Sequence, residues 1–382
     1  MTPSLPTELW RTIFRHATSA AVDADLAIKH PKPEPLWFDK FEQHNLEEMK
    51  TKIALTRVSH RFRRIASEFL FEFVSIGDSD RAVILLETMM KQSSNTALGP
   101  KPHELVKFLF VRCSRTRLVT KILYLCRGLR GFSWNAPDSQ TRFQNWAAVQ
   151  DEMIQNIPTN IRFLNWNARV DQTNTFAAFL HKASASLQIL YISGVPAFQQ
   201  PLQHVSYSAL THLRVEDTSP FGCLATWTMP SLIYLDLVAR YTGGSSPTFF
   251  PNFGKRLRVL RLGRSFTLLR PLLSHILKSH PNMEEIHYHC STFRRSSLWK
   301  SDVTHMKLKV VGVGIAETNL MDIAIAHSEL RKNFGTISRT RFPGLDRIIV
   351  DVVESSPLIP KGTSLLMTRV SKNFRSAEIT MI

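Results

Sequence analysis

Few residues in this chain of 382 stand at spacings that could do chemistry. His287-Tyr-His289-Cys290 is the most inviting group, because two imidazoles two residues apart on a strand share a face and could ligate zinc. No third ligand stands at a suitable spacing, and the alternation of a strand explains the pair unaided. Gly312-Val-Gly314 lacks the third glycine and the following helix of a dinucleotide loop. The chain has no Walker loop, no G-x-S-x-G elbow and no H-E-x-x-H pair. The sequence therefore offers no catalytic residue, metal set or cofactor site, and the expectation is a protein that makes and breaks no bonds itself.

Charge is the next chemical signal. Against 31 Asp and Glu stand 48 Lys and Arg, a formal net charge of +17. Such a balance suits nucleic acid, anionic lipid, an acidic protein or no single target. The densest run is Arg57, Arg61, Arg63 and Arg64 on an apparent helix. No RNA-recognition motif, Cys/His finger or basic zipper accompanies it, which argues against nucleic acid as the main partner. The four cysteines (Cys113, Cys126, Cys223, Cys290) are far apart with no CxxC, against a disulfide or zinc scaffold. With 43% apolar residues, no signal-peptide start and no run of the ~20 apolar residues a membrane span needs, the expectation is a folded cytoplasmic or nuclear protein.

The elements that must position any function begin with a helix over Leu5 to Ala17, with Pro6 in its first turn and Leu5, Leu9, Ile13 and Phe14 on one face. Pro31, Pro33 and Pro35 predict a loop over residues 18–52. From Ile53 a helix carries Val58, Phe62, Ile65 and Phe69 at helical spacing, and another, capped by Asp78, runs to Lys91. Ser93 to Pro102 reads as a linker.

Beyond residue 103 the chain repeats. An L-x-x-L-x-L pattern with conservative swaps starts at Leu105, Leu129, Ile161, Leu187, Leu210, Leu232, Leu257 and Met283. The starts are 24, 32, 26, 23, 22, 25 and 26 residues apart, the range of leucine-rich repeats. Helix-like stretches lie between them at Gln144 to Asn156, Thr173 to Lys182 and Phe266 to His280. One strand with one helix or turn encloses no core alone, whereas stacked repeats bury a continuous one. The Asn or Cys that usually satisfies the turn backbone is mostly missing, so other groups must do so. After Met306 the register weakens; strands are expected over Met306 to Val313 and Leu345 to Val353, a helix around Leu320 to Phe334, and an atypical cap.

Leu5-Pro6-Thr7-Glu8-Leu9-Trp10-Arg11-Thr12-Ile13-Phe14 resembles the start of an F-box, and Val58-Ser59-His60-Arg61-Phe62, with Ile65-Ala66, resembles its second half. The N-terminal pattern with the repeats behind it is similar to fungal F-box proteins with degenerate leucine-rich repeats. Residues 18–52 would be an insertion, and Phe62 stands where Trp is commonest; looping out an insertion costs only ~0.6 kcal/mol per doubling of length. The resemblance implies an α/β chain: a helical F-box module over 1–75, a helix and linker over 76–102, and an irregular solenoid over 103–382 with parallel strands on its concave face. It also implies a substrate receptor of a cullin-RING ubiquitin ligase, which binds a Skp-family adaptor, and cullin through it. Leu5, Pro6, Leu9, Ile13, Phe14, Val58, Phe62 and Ile65 are then the adaptor-facing and small-core positions. A scaffold outside any ligase and a basic nucleic-acid-binding protein are the other two readings.

A client would lie on the concave face. The residue between the last two apolar positions of each repeat points there, giving Ser133, Asn165, Tyr191, Arg214, Asp236, Arg261 and His287, flanked by Phe163, His212, Tyr234, Glu285 and His289. Arg214, Asp236 and Arg261 fall on neighbouring strands about 4.8 Å apart. They are either a self-neutralising network or, with two Arg against one Asp, a site for an acidic client.

Overall fold

The computed structural model describes residues 5–18, 37–93, 101–113, 115–135, 146–167, 173–193, 204–216, 224, 226–238, 252–263, 270–290, 299, 303–316, 337, 340–353 and 378–381. Two compact units divide the chain, Met1–Gln199 and Gln200–Ile382.

The first unit opens with three helices: α1 (Thr7–Thr18), α2 (Trp37–Val58) and α3 (His60–Leu70). Helix α2 corrects the loop expected over residues 18–52. Its sequence holds no Gly or Pro and carries three Glu and three Lys, so it propagates once past the three prolines. The single helix expected from Ile53 is also two. Ser59 is extended, and its hydroxyl accepts from the Phe62 amide at 3.1 Å, ending α2 and capping α3.

Then follow β1 (Phe73–Ile76), α4 (Ser79–Ser93), α5 (Pro102–Leu105), β2 (Phe108–Val111), α6 (Thr116–Leu125), β3 (Gly131–Asn135), α7 (Trp146–Gln155), β4 (Phe163–Asn167), α8 (Thr173–Ala183) and β5 (Ile189–Ser193). Asp78 caps α4 as expected, accepting from the Arg81 amide at 2.8 Å. The linker expected over 93–102 lies mostly outside the described residues. Strands β1 to β5 pair in parallel in chain order. The sheet therefore starts at Phe73, ahead of the boundary expected at 103, and β1 went unread because it lies inside the F-box-like segment. Leu109, Phe132, Leu164 and Leu190 form one core column with no exposure. Val111, Trp134, Trp166 and Ile192 form the next. The Trp134 and Trp166 rings meet edge-on at 4.6 Å, and Trp166 lies 5.5 Å from Phe176 of α8.

This register corrects the first repeat. Leu109 pairs with Phe132 and Val111 with Trp134, so the apolar triplet is Val106, Leu109 and Val111, not Leu105, Phe108 and Phe110. A slip of one residue reverses every side chain, and Phe108 and Phe110 project from the face opposite the core.

The second unit contains β6 (Val205–Ser206), β7 (His212–Val215), β8 (Trp227–Thr228), β9 (Tyr234–Leu237), β10 (Val259–Leu262), α9 (Arg270–Ser279), β11 (Glu285–Cys290), β12 (Val310–Ala316), β13 (Arg347–Val353) and β14 (Glu378–Met381). Strands β6 and β8 form a small parallel pair of their own. The rest run parallel in the order β7, β9, β10, β11, β12, β13, β14. Leu308, Val311 and Val313, then Leu345, Ile348 and Val350, keep the repeat pattern through β12 and β13. The register thus persists where the sequence reading had it weakening. The helix expected around Leu320 to Phe334 lies outside the described residues.

Other groups serve the turns that lack the usual Asn. The Ser186 hydroxyl reaches the carbonyls of Thr159, Ile161 and Ala183 at 2.9–3.1 Å. Asn282 donates to the Lys255 carbonyl at 2.8 Å, and His305 Nε2 bonds the His280 carbonyl at 3.0 Å. Both units are α/β solenoids in which each strand hands its apolar edge to the next.

The register has a direct consequence for stability. Leu109→Ala should cost about 2–5 kcal/mol, because Leu109 is fully buried, and Leu105→Ala, only half-buried, should cost clearly less. Urea unfolding of the two variants checks this; equal losses would contradict the register.

Candidate functional site

Helix α1 carries two faces of different kinds. Inward, Phe14 is 1% exposed and packs with Ile65, Ala66 and Phe69 of α3, with Trp10, Leu55 and Phe62 around them. The rings of Trp10 and Phe14 lie 4.6 and 4.9 Å from that of Phe62. Outward, Leu9 and Ile13 are 48% and 45% exposed, and Leu5, just ahead of the helix, is 41% exposed. Val58, at the end of α2, is 64% exposed.

Arg61 fixes the start of this ridge, donating to the Leu5 carbonyl at 2.7 Å and the Thr7 hydroxyl at 3.3 Å. Arg11 pairs with Glu68 at 2.7 Å and Arg15 with Glu72 at 2.5 Å, while the Arg15 guanidinium sits 4.7 Å from the Phe69 ring. The guanidinium of Arg11 is held further into its charged form by the hydrogen bond to Glu68. Such exposed pairs add little stability, but they set the rotation of α1 on α3. Of the eight positions read as adaptor-facing or core, Phe14, Phe62 and Ile65 hold the module together; Leu5, Pro6, Leu9, Ile13 and Val58 lie exposed. Leu46 and Ile53 of α2 are exposed apolar residues too; the sequence reading missed Leu46 because it placed that stretch in a loop.

The sheet face opposite the core differs between the units. In the first unit Ser133, Asn165 and Tyr191 stand side by side, as the alternation predicts. Asn165 donates to the Ser133 hydroxyl at 3.0 Å. One residue pair further, Asn167 donates to Asn135 at 2.9 Å and accepts from Ser193 at 2.5 Å. Around them Phe73, Phe108, Phe110, Phe163, Ile189 and Tyr191 make a second apolar cluster. Gly131 makes room for it, since a Cβ there would lie 2.3 Å from the Phe108 ring. The Lys52 ammonium of α2 lies 5.5 Å from the Phe73 ring and 2.7 Å from Asn45 Oδ1, and burial draws its pKa down. Tyr191, read as a client contact, is 5% exposed, and Asn165 is half-buried. Tyr191 is thus covered on the face where a client contact was expected.

In the second unit Arg214, Asp236, Arg261 and His287 are aligned on adjacent strands. Arg214 pairs with Glu216 at 2.5 Å and approaches Asp236 at 3.9 Å. Arg261 lies 5.7 Å from the Tyr234 ring, and the Tyr234 hydroxyl donates to Asp236 at 3.4 Å. Burial pushes the Asp236 carboxyl above the ordinary carboxylate range, against the pull of Arg214 and Arg261. Glu285 contacts His287 Nε2 at 3.5 Å. Two Arg thus face three carboxylates (Glu216, Asp236, Glu285), which leaves no surplus of positive charge for an acidic client.

Gly312 and Gly314 stand opposite His287 and His289, and a Cβ on either would lie 2.0–2.2 Å from an imidazole nitrogen. The G-x-G pair is clearance for two rings. Among the described residues, no three His, Cys, Asp or Glu cluster closely enough to hold a metal ion. No described helix is long and apolar enough to cross a membrane. The thiol of Cys126 is pushed up to about 12 by burial, and that of Cys113 is raised for the same reason, so both are poor nucleophiles.

No family model and no curated protein matches the chain. Among solved structures it is similar to the leucine-rich-repeat-containing protein LegL7 from Legionella pneumophila, at 12% identity and a TM-score of 0.40 over 84% of this chain and 94% of that one. It is similar to a chain of the yeast Rad7 and Elc1 complex, at 11% identity and a TM-score of 0.41 over 94% and 97%. A third likeness is to a chain of the TLR13–ssRNA13 complex, at 12% identity and a TM-score of 0.30 over 65% and 33%. The repeat architecture described above rests on the strand pairing itself.

His212, on the second unit's opposite face, is 0% exposed, with its Nδ1 2.8 Å from the Thr211 hydroxyl. Burial lowers its pKa from 6.5 to about 4. The unfolded chain therefore takes up the proton first as pH falls; stability from the neutral ring is complete above pH 6.5 and is lost toward pH 4. Urea unfolding at pH 7 and pH 4.5 should show a pH-linked loss for the wild type that is smaller in His212→Phe by about 2–3 kcal/mol. An unchanged pH dependence would contradict the burial.

Proposed function

We propose that the chain is the non-catalytic substrate-receptor subunit of a Skp-cullin-F-box type ubiquitin ligase. The helical module docks a Skp-family adaptor, and through it cullin, while the solenoid holds a client protein. The observation that carries this reading is the exposed apolar row of Leu5, just ahead of α1, with Leu9 and Ile13 on a helix whose inner face is committed to the module's own core. Apolar side chains that the fold leaves exposed in a row are what a partner buries, at roughly 1.5–3 kcal/mol each when fully covered. The Leu-Pro and Ile-Phe pairs at this ridge are the residues that carry the F-box resemblance. Such a receptor catalyses by proximity: it raises the client's effective concentration at the ligase and forms no bond with it. A leucine-rich-repeat scaffold outside any ligase is the second reading, and adaptor binding separates the two.

The full chain should co-purify with a Skp-family adaptor, and the Leu5→Ala, Pro6→Ala double variant should lose it. Leu9→Asp with Ile13→Asp should do the same without lowering the melting temperature, because both side chains are exposed in the free chain. Undiminished co-purification with these four positions changed would refute the assignment.

A further inference from the structure

Residues 101–130 hold eight Lys and Arg against one acid, Glu104, a strong local excess of positive charge. The fold gathers much of it around α6. On that helix Val119, Thr120, Ile122 and Leu123 are 0–5% exposed and form the buried side. Arg117, Lys121 and Tyr124 follow at spacings of four and three on the solvent side. Tyr124 is 61% exposed, with the Arg127 guanidinium 4.5 Å from its ring.

The turn after α6 brings in more charge. Arg130 is exposed and enters the sheet beside Lys107, whose carbonyl accepts the Arg130 amide at 2.7 Å. The Lys107 ammonium lies against the same turn, 3.1 Å from where a Cβ on Gly128 would stand. Arg115, Arg117, Lys121, Arg127 and Arg130 are all exposed, and none forms an ion pair among the described residues.

From this surface we infer that the α6 face of the first unit binds single-stranded nucleic acid without sequence preference. Guanidinium and ammonium groups with no carboxylate partner suit phosphates, and an exposed ring backed by arginine is a stacking platform for a base. An acidic protein segment fits less well. Protein interfaces rely on several buried apolar anchors, and between residues 101 and 135 Tyr124 is the one large apolar side chain left exposed among those described. The ridge of α1 lies on other elements, so this site stands or falls independently of adaptor binding.

Fluorescence anisotropy of the full chain with a labelled oligothymidylate of about 20 nucleotides tests the inference. Binding should weaken with salt at a log–log slope of about −3.5, as five neutralised phosphates require. Arg117→Glu, Lys121→Glu and Arg127→Glu together should reduce affinity at least about tenfold and flatten the slope by about 2. Tyr124→Ala should reduce it at least about fivefold. A control triple at exposed cations of the second unit, Lys255→Glu, Arg256→Glu and Lys278→Glu, should change it less than about twofold. Equal losses from the two triples, or tighter binding to a labelled polyglutamate than to the oligothymidylate, would overturn the assignment.

Discussion

Each strand of the solenoid buries two side chains of one face under the next repeat, and no repeat can do this alone. That requirement fixes the rest. It imposes the parallel register seen from β1 to β5 and again in β7 and β9 to β14, and it confines variation to the opposite sheet face, the strand entrances and the outer helices. A column such as Leu213, Leu235, Leu260 and Ile286 admits only apolar residues. The neighbouring column in the same strands holds Arg214, Asp236, Arg261 and His287, constrained by one another and not by the core.

The same separation operates in the helical module. Phe14 and Ile13 are adjacent and both apolar, yet a rotation of about 100° between neighbours in a helix sends one into the module and the other out. With Phe14 held by Ile65, Ala66 and Phe69, the exposure of Leu9 and Ile13 follows from helical geometry. Docking through these residues needs no rearrangement of the module's core. The salt bridges from Arg11 and Arg15 to α3 and its end keep α1 from rolling the ridge inward.

Much of this was legible in the chain. Seven of the eight repeat starts were found in the right register, because apolar residues at positions one, four and six are a strand signature that few other patterns imitate. The first repeat failed because Val106 to Val111 is apolar throughout, so periodicity alone could not say which side faced the core. Helix α2 was hidden by the prolines ahead of it, and β1 by its place in a segment that reads as helix. The candidate contacts divided along the same line. Alternation placed Tyr191 and Asp236 on the correct face, but whether that face is open depends on packing from elsewhere in the chain, which no strand records. The basic surface around α6 was missed because its members alternate with the buried residues of a helix and a turn instead of forming a run.

We propose that the outer side of α1 is a partner surface. Hydrogen–deuterium exchange of the full chain, with and without a Skp-family adaptor, tests it most directly. Amides of residues 5–18 and of the α2–α3 junction around Val58 should gain protection on complex formation, while those of β7 to β11 keep their rates. Protection confined to the repeats, with the α1 amides unchanged in a saturated complex, would contradict the account.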